Sequence, residues 1–261
     1  MGQWIQTVVR FGQSQWALLN GALLFYTCVP LPERWPVEFS QIARVVPLVG
    51  LGLGGCLAGV DAVLSLGVPI FLRSALIVLI GVWLTGGLHL DGAMDTADGL
   101  AVQEPQRRLA VMADSNAGAF GVMAAIAILL LKTAALTAIA HDRWFALMVA
   151  AAWGRWGQQW AIGCYQYLKP TGKGAFHKQA MPSYRYALPW AGGLSLLTML
   201  SVTLKLIPWS SGLITAIAGL GSASLVANWL NRKLGGHTGD TYGAVVEWVE
   251  VAVLVSLACA S

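Results

Sequence analysis

Residues 117–140 read AGAFGVMAAIAILLLKTAALTAIA and contain one charged side chain, that of Lys132. A helix needs about 20 consecutive, mostly apolar residues to cross the hydrocarbon core of a bilayer. This stretch meets that requirement, so it predicts a membrane-spanning helix. We therefore expect the chain to be an integral membrane protein.

The composition of the whole 261-residue chain agrees with this assessment. Hydrophobic residues make up 57% of the chain and charged residues 11%, whereas a soluble domain has about 25% charged residues. There are too few polar side chains to cover a water-exposed surface, which excludes a soluble globule, and the apolar content excludes a disordered chain. The net charge of +4 rests on too few sites to indicate a nucleic-acid partner.

Apolar stretches of similar length recur along the chain and predict an all-α, polytopic membrane helical bundle with about seven to eight transmembrane helices. The first stretch is interrupted by Gln13, Gln15 and Asn20, so it is either a span or an interfacial helix. The predicted spans are residues 11–29, 46–68, 70–90, 117–140, 144–164, 186–207, 211–230 and 242–260. No linker divides the chain, so residues 1–261 are expected to form a single integral membrane domain.

Four connections between the spans are long enough to hold functional side chains. They cover residues 30–45, 91–116, 165–185 and 231–241, and two spans separate each from the next, so all four lie on one side. Of the sixteen Lys and Arg residues, these connections carry Arg34, Arg44, Arg107, Arg108, Lys169, Lys173, Lys178, Arg185, Arg232 and Lys233. Basic loops are retained in the cytoplasm. The face with these connections is therefore expected to be cytoplasmic and to carry the active site.

Acidic residues gather at the start of the second connection. In LHLDGAMDTADGL, residues 88–100, the spacing of Asp91, Asp95 and Asp98 puts three carboxylates on one face if the helix continues. Such carboxylates repel one another, and each costs about 2.5–3.5 kcal/mol near the bilayer centre. Oxygen ligands without a Cys or His cluster are typical of Mg²⁺ or Mn²⁺ bound together with substrate phosphates. The pattern predicts a metal site for a diphosphate; the alternative is that the aspartates cap a helix end in a solvated loop.

Three further residues near acidic clusters are candidates for the site. Asp114 opens DSNAGAFG just before span 117–140, where it can cap that helix, complete the metal site, or do both. His89 and His237 each flank an acidic cluster. Each histidine can act as a base or substrate donor, or hydrogen-bond to residues that contact the substrate.

A second acidic cluster lies near the end of the chain. Glu247 and Glu250 form an i, i+3 pair in the last predicted span, and Asp240 precedes Glu247 by seven residues, so all three can share one face. Acidic side chains inside a membrane are functional unless they are paired, which makes these residues candidates for substrate binding. The alternative is a salt bridge from these acids to Arg155 or Lys132.

Basic side chains on the same face are candidates for binding phosphate. The connection 165–178 contains Lys169, Lys173 and His177, and Arg155 and Gln158 lie on late turns of the preceding span. Arg offers paired contacts to phosphate oxygens, and Lys offers a mobile point charge. The alternative is a basic cytoplasmic loop without a ligand.

Five blocks of sequence carry a family resemblance. They are FYTCVPLP (25–32), VVPLVGLGLGG (45–55), LHLDGAMDTADGL (88–100), MADSNAGAFGVMA (112–124) and GGHTGDTYGAVVEWVE (235–250). Together, and in this order, they resemble the cobalamin synthase family, also called adenosylcobinamide-GDP ribazoletransferases. The resemblance extends from about residue 25 to residue 255.

The resemblance implies a Mg²⁺-dependent transferase, with Mn²⁺ as the alternative ion, in the bacterial cytoplasmic (inner) membrane. Its reaction joins adenosylcobinamide-GDP to α-ribazole or its 5′-phosphate, giving adenosylcobalamin or its 5′-phosphate and GMP. Asp91, Asp95, Asp98 and Asp114 would hold the metal on the diphosphate. A ribose hydroxyl would attack the phosphorus on the cobinamide side, with Asp98, Asp114 or His89 as the proton acceptor.

Two other functions fit the same residues. A prenyltransferase or lipid-headgroup transferase also holds a diphosphate with an Asp-rich motif on a membrane helix. In an ion-coupled transporter, Glu247, Glu250 and Asp61 would carry protons or cations, but the sequence lacks paired broken helices in two halves. The sequence gives no other role for Asp61. Membrane lipid is the expected surrounding, and the sequence leaves the oligomeric state open.

Overall fold

The computed structural model of the chain describes residues 2–169, 172 and 174–260, with side chains from residue 12 onward. Across these residues the fold is all-helical, which confirms the predicted class, and the only β contact is an isolated bridge between Tyr167 and His237. The helices are α1 Gly2–Tyr26, α2 Val46–Leu64, α3 Ile70–Leu84, α4 Leu88–Ala101, α5 Pro105–Val111, α6 Ala119–Ala138, α7 Arg143–Cys164, α8 Ala175–Ala180, α9 Leu188–Thr203, α10 Trp209–Leu234 and α11 Gly239–Ala258.

Four of the described helices are long and apolar enough to cross a membrane: α2, α6, α10 and α11. The count rises to five if α3 and α4 together form one broken span. Each predicted span overlaps at least one helix, but the number of seven to eight is not established by helix length and composition. One reason is that α9 has only 16 residues. Another is that α7 carries polar side chains, including Arg155, Gln158 and Gln159.

Helix α7 lies at the centre of the bundle, where α2, α10 and α11 pack against it. Two of its four tryptophans, Trp153 and Trp156, are almost fully buried. Small residues allow the close packing of neighbouring helices: a methyl group placed on Gly54 of α2 would lie 2.4 Å from the Cα atom of Met148. The core therefore depends on backbone proximity as well as on large apolar side chains.

A buried ion-pair network joins α6, α7 and α11. The Lys132 ammonium lies 2.6 Å from Oε2 of Glu247 and 2.6 Å from Oε2 of Glu250. The Arg155 guanidinium pairs with the other carboxylate oxygen of Glu250. Two positive and two negative charges thus balance inside the bundle, which is the condition under which buried charges are tolerated. The structure therefore contains the alternative that the sequence offered, in which these glutamates form salt bridges with Lys132 and Arg155.

A second buried ion pair lies at the end of the bundle opposite the long connections. Arg143 contacts both carboxylate oxygens of Asp61, at 2.9 Å and 2.6 Å, and Arg73 approaches the same carboxylate at 3.3 Å. These contacts hold the end of α2 against the starts of α3 and α7. They supply the role for Asp61 that the sequence alone did not give.

The third predicted span does not continue into the Asp-rich motif. Helix α3 ends at Leu84, and α4 begins at Leu88 with its axis bent by 90°. The turn uses Gly86 and Gly87, which have φ angles of +59° and +73°, values that residues with a Cβ atom rarely adopt. The range predicted as span 70–90 is therefore divided, and the predicted connection 91–116 contains most of α4 and all of α5.

We predict that Lys132→Met destabilises the protein by about 3–5 kcal/mol, because the variant leaves a buried carboxylate without its partner. The double variant Lys132→Met/Glu247→Gln removes one charge of each sign and is expected to recover most of that loss. Unfolding of the detergent-solubilised proteins measures both effects. Equal stability of the single variant and the wild type would contradict the role of the network.

Candidate active site

The four long connections meet on one face of the bundle. The Arg44 side chain donates two hydrogen bonds to the carbonyl of Ala180, at 3.0 Å and 2.8 Å. The Arg108 side chain donates to the carbonyl of Lys233 at 2.8 Å. Further along, the backbone N–H of Leu168 donates to the carbonyl of His237 at 2.8 Å. Residues far apart in the chain therefore form one continuous polar surface.

Helices α4 and α11 cross at very close range on this surface. A methyl group on Gly92 would lie 2.6 Å from the backbone oxygen of Asp240, and one on Gly243 would lie 2.8 Å from the backbone oxygen of His89. Distances this short are below the contact limit of a real Cβ atom. Glycine on both helices thus permits the crossing, which brings the Asp-rich motif beside the start of α11.

An acidic cluster is formed by Asp91, Asp95 and Asp98 of α4 together with Asp240 of α11. Partial burial, reinforced by the negative charges of Asp91, Asp240 and Asp98, raises the pKa of Asp95 to about 6. The Lys169 ammonium lies 3.2 Å from Asp240 and acts in the opposite direction. The cluster therefore contains more negative charge than its neighbours neutralise.

Asp98 also contacts the start of α6. Its two carboxylate oxygens accept hydrogen bonds from the backbone N–H groups of Gly118 and Gly121, each at 2.8 Å. The first N–H groups of a helix lack partners within the helix, so Asp98 satisfies two backbone donors from outside. A carboxylate has about four lone-pair sites, and these bonds leave the others free.

Asp114 lies in the exposed turn between α5 and α6. Its carboxylate accepts hydrogen bonds from the backbone N–H and the side-chain amide of Asn116, at 3.0 Å and 2.8 Å. These bonds lower the pKa of Asp114. The structure thus places Asp114 in a local turn motif, whereas the start of α6 is held by Asp98.

His89 lies in the first turn of α4 and is buried, with 2% of its surface exposed. Its ring stacks against Tyr26 with 6.2 Å between centroids, and Nε2 has no hydrogen-bond partner among the described residues. Burial, followed by the nearby positive charge of Arg155, lowers the pKa of His89 to about 3. The imidazole is therefore neutral at physiological pH.

A cavity of about 290 Å³ opens beside the acidic cluster. The carboxylates Asp91 and Asp240 line one part of it, and aromatic and polar side chains from α1, α4, α7, α8 and α11 line the rest. Four of the buried lining residues have a polar atom without a partner in the described part of the chain: His89, Gln158, His177 and Tyr242. The site thus combines a negatively charged rim with a partly apolar, partly polar interior.

The sequence did not single out Tyr26 or Tyr242, and it considered Gln158 and His177 only as part of a phosphate-binding set. Tyr26 lies in the block FYTCVPLP and Tyr242 in the block GGHTGDTYGAVVEWVE. The Tyr26 hydroxyl accepts a hydrogen bond from the Gln158 side-chain amide at 3.2 Å and lies 3.4 Å from Nε2 of His177. Both tyrosines lie in sequence blocks that carry the family resemblance, and this position was the signal that could have identified them.

Other predicted substrate-binding residues have partners within the protein. Arg155, Glu247 and Glu250 belong to the buried ion-pair network. His237 is fully buried, with ring nitrogens 3.0 Å from the Thr241 hydroxyl and 3.1 Å from the Ala227 carbonyl. The structure brings none of these four side chains into the acidic cluster. Their contact with substrate stays a prediction.

The basic connection is described only in part. Lys169 reaches the acidic cluster through Asp240, and Lys178 donates to the carbonyl of Ile162 at the end of α7 at 2.7 Å. Lys173, the other lysine of this connection that was predicted to bind phosphate, lies outside the described residues. Lys169 is thus the predicted basic residue that the structure places beside the aspartates.

The acidic cluster has the chemistry of a site for a hard divalent ion. Its donors are carboxylate oxygens, and the pKa of Asp95 is raised by partial burial and then by neighbouring negative charges, which a bound cation would offset. Within the described residues, no group of three or more Asp, Glu, Cys or His side chains is arranged so that it could hold a metal ion by itself. Mg²⁺ commonly binds through one or two carboxylates, with water and substrate phosphates filling the other positions. The residues present fit that mode of binding.

Comparison with known proteins gives a consistent result. Residues 18–258 match the model of the family described as cobalamin-5-phosphate synthase. A protein of Trichormus variabilis named adenosylcobinamide-GDP ribazoletransferase is 57% identical over 246 residues, which cover 92% of this chain and 96% of that protein. Proteins of the same name from Synechococcus elongatus and Thermosynechococcus vestitus are 51% and 48% identical, and cover 92% and 95% of this chain and 96% and 99% of their own lengths. No solved structure matches significantly.

We predict that Gly92→Ala separates α4 from α11, because the added methyl group would lie 2.6 Å from the backbone of Asp240. Such overpacking typically costs about 1–3 kcal/mol, and the variant is expected to bind Mn²⁺ more weakly than the wild type. The matched control is Gly59→Ala in α2, where the methyl group meets open space. The same Mn²⁺ affinity and thermal stability in both variants would show that the close crossing is not required.

Proposed function

The chain belongs to the cobalamin-5-phosphate synthase family, and from that membership we propose that it joins adenosylcobinamide-GDP to α-ribazole or its 5′-phosphate. The products are adenosylcobalamin, or its 5′-phosphate, and GMP. The chain is accordingly an enzyme, a transferase that acts in the final assembly of cobalamin. The observation that carries the proposal is the acidic cluster of α4 and α11 beside a cavity of nucleoside size.

The aspartates supply the binding site for the diphosphate. We propose that Mg²⁺, for which Mn²⁺ can substitute, binds through one or two of the carboxylates of Asp91, Asp95 and Asp240, with substrate phosphates and water as its other ligands. The ion, when bound, neutralises charge on the diphosphate and on the departing GMP, which is the main requirement of phosphoryl transfer. Lys169, 3.2 Å from Asp240, can add a positive charge to the same phosphates.

The incoming ribose hydroxyl must lose a proton as its oxygen bonds to phosphorus. Of the three acceptors predicted from the sequence, His89 is a poor base because burial lowers its pKa to about 3. Asp114 is exposed and bonded to Asn116. We propose that Asp98 accepts the proton, since the two N–H bonds from α6 fix its orientation and leave a lone pair free on each oxygen. Metal contacts of Asp98 and Asp114 stay predictions.

We further propose that the chain crosses the bacterial cytoplasmic (inner) membrane seven to eight times, with the long connections on the cytoplasmic side. Ten of the sixteen basic residues lie in those connections, as the positive-inside rule requires. Large apolar side chains on the outside of the bundle, such as Leu66, Trp83 and Leu225, are mostly exposed, and membrane lipid would cover them. In this arrangement α4 lies along the cytoplasmic face.

The pairing of the embedded acids disfavours the transporter alternative. Glu247 and Glu250 are paired with Lys132 and Arg155, and Asp61 is paired with Arg143. A carboxylate held in a close ion pair is a poor carrier for a mobile proton or cation, because each release would leave a buried charge unpaired. The proposed enzyme would instead use the acidic cluster on the loop-bearing face, in which Asp240 pairs with Lys169 and the three aspartates of α4 have no ion-pair partner among the described residues.

Product formation by purified, detergent-solubilised protein tests the function. With adenosylcobinamide-GDP, α-ribazole and Mg²⁺, the wild type is expected to release cobalamin and GMP in equal amounts, and excess chelator should abolish both. Asp95→Asn should lower turnover at least about 100-fold, since a lost ligand typically costs more than the 10–100-fold effect of residues that support ligands. Glu33→Gln, at an exposed position on the same face, is the matched control. Product formation that is unaffected by chelation would refute the metal-dependent mechanism.

The pKa of Asp95 predicts how ion binding depends on pH. Its folded-state pKa of about 6 lies above the usual 3.8, so protons compete with the cation as the pH falls through 6. Mn²⁺ affinity is expected to be nearly constant above about pH 7 and to fall up to about tenfold per pH unit below about pH 6. Mn²⁺ titrations followed by electron paramagnetic resonance measure this profile. A profile in Asp95→Asn with the same midpoint would assign the effect to another group.

A further inference from the structure

We propose that the 290 Å³ cavity beside the acidic cluster is the acceptor pocket, and that it binds the benzimidazole and ribose of α-ribazole. The inference rests on the proposed function and assigns one of its two substrates to a defined place. The cavity lies at the small end of the volumes found for ligand sites, about 300–1,000 Å³. It is far too small for the corrinoid ring, which must therefore bind outside it.

Unpartnered polar atoms indicate that the cavity is built to receive a ligand. Among the described residues, the Tyr242 hydroxyl, Nε2 of His89, Nδ1 of His177 and Oε1 of Gln158 lack a hydrogen-bond partner. Each of these residues is at least 97% buried and lines the cavity. A buried polar group without a partner costs about 1–3 kcal/mol. Ribose hydroxyls and a ring nitrogen can supply the missing partners.

Aromatic side chains give the cavity an apolar wall for a flat ring. Phe25, Tyr26 and Tyr242 all line it. Phe25 and Tyr26 meet edge to face with 4.8 Å between ring centroids. Benzimidazole with its methyl groups is mostly apolar and aromatic, and such rings pack favourably against aromatic side chains in these geometries.

The charge of the cavity favours a neutral nucleoside over the nucleotide end of adenosylcobinamide-GDP. Its described lining residues include two carboxylates, Asp91 and Asp240, and no Lys or Arg. A nucleoside phosphate that entered the interior would pass these carboxylates at the rim and would find no basic side chain among the described lining residues. An α-ribazole molecule would enter with its base and ribose, and a 5′-phosphate, where present, would lie outside towards Lys169, which pairs with Asp240.

The same two carboxylates place the pocket next to the reacting phosphorus. Asp91 and Asp240 both line the cavity and both belong to the acidic cluster that would hold the diphosphate. A ribose hydroxyl at the rim can therefore approach the phosphorus on the cobinamide side. The hydroxyl oxygen bonds to this phosphorus, and the bond from the phosphorus to the bridging oxygen breaks, so that GMP leaves with that oxygen. A carboxylate accepts the hydroxyl proton.

The test compares KM values for the two substrates in variants of the pocket. Tyr242→Phe removes one hydroxyl that has no described protein partner, so it is expected to fold normally. It should raise KM for α-ribazole about threefold to tenfold, the effect of one lost hydrogen bond, and leave KM for adenosylcobinamide-GDP unchanged. Gly239→Leu adds bulk where a Cβ atom meets open space at the cavity wall, and it should raise KM for α-ribazole more than tenfold. Thermal unfolding checks that both variants are folded.

The matched control is Gly52→Leu, which also adds a side chain into open space, but on the exposed side of α2. It should retain wild-type values for both substrates. A selective increase in KM for adenosylcobinamide-GDP in the pocket variants would assign the cavity to the guanosine end and overturn the inference while the proposed function stands. Unchanged KM values for both substrates would likewise overturn it. Absence of product from the folded wild type would instead refute the proposed function.

Discussion

The contact between Gly92 of α4 and the backbone of Asp240 at the start of α11 is the constraint on which the site depends. Neither helix has room for a Cβ atom at the crossing, where Gly243 meets the backbone of His89. Because the backbones approach so closely, carboxylates from two distant parts of the chain share one small region. Partial burial and the repulsion between these carboxylates raise the pKa of Asp95. In the proposed function this negative charge attracts a divalent ion, and the ion in turn binds the diphosphate.

The bundle supports the crossing with balanced charges. Lys132 of α6, Arg155 of α7 and two glutamates of α11 form a network with no net charge, which fixes the three helices relative to one another. On the loop-bearing face, the Asp98 carboxylate accepts two backbone hydrogen bonds from the start of α6. Acidic residues therefore have two kinds of environment in this protein: those inside the bundle are held in close ion pairs, and those of the acidic cluster on the loop-bearing face carry more negative charge than Lys169 neutralises.

The length of the apolar stretches predicted a helix at each of them, and the spacing of Asp91, Asp95 and Asp98 correctly placed three carboxylates on one helix. The bend at Gly86 and Gly87 was not predicted, because residues 70–90 are long and apolar enough to be taken as one span and composition does not show a φ angle. The approach of Asp240 to α4 depends on contact between helices about 150 residues apart. The pairing of Glu250 with Arg155 was foreseen only as an alternative, since sequence spacing does not say which charges meet.

The central claim is that aspartates of α4 and α11 form one divalent-ion site at the mouth of the cavity. The most direct test is to locate Mn²⁺ by anomalous scattering from crystals of the protein grown with the ion. The account predicts one principal ion between the two helices, with Asp95 and Asp240 both within direct ligand distance. An ion held by Asp114 in the exposed turn, or by α4 residues with Asp240 turned away, would contradict the account.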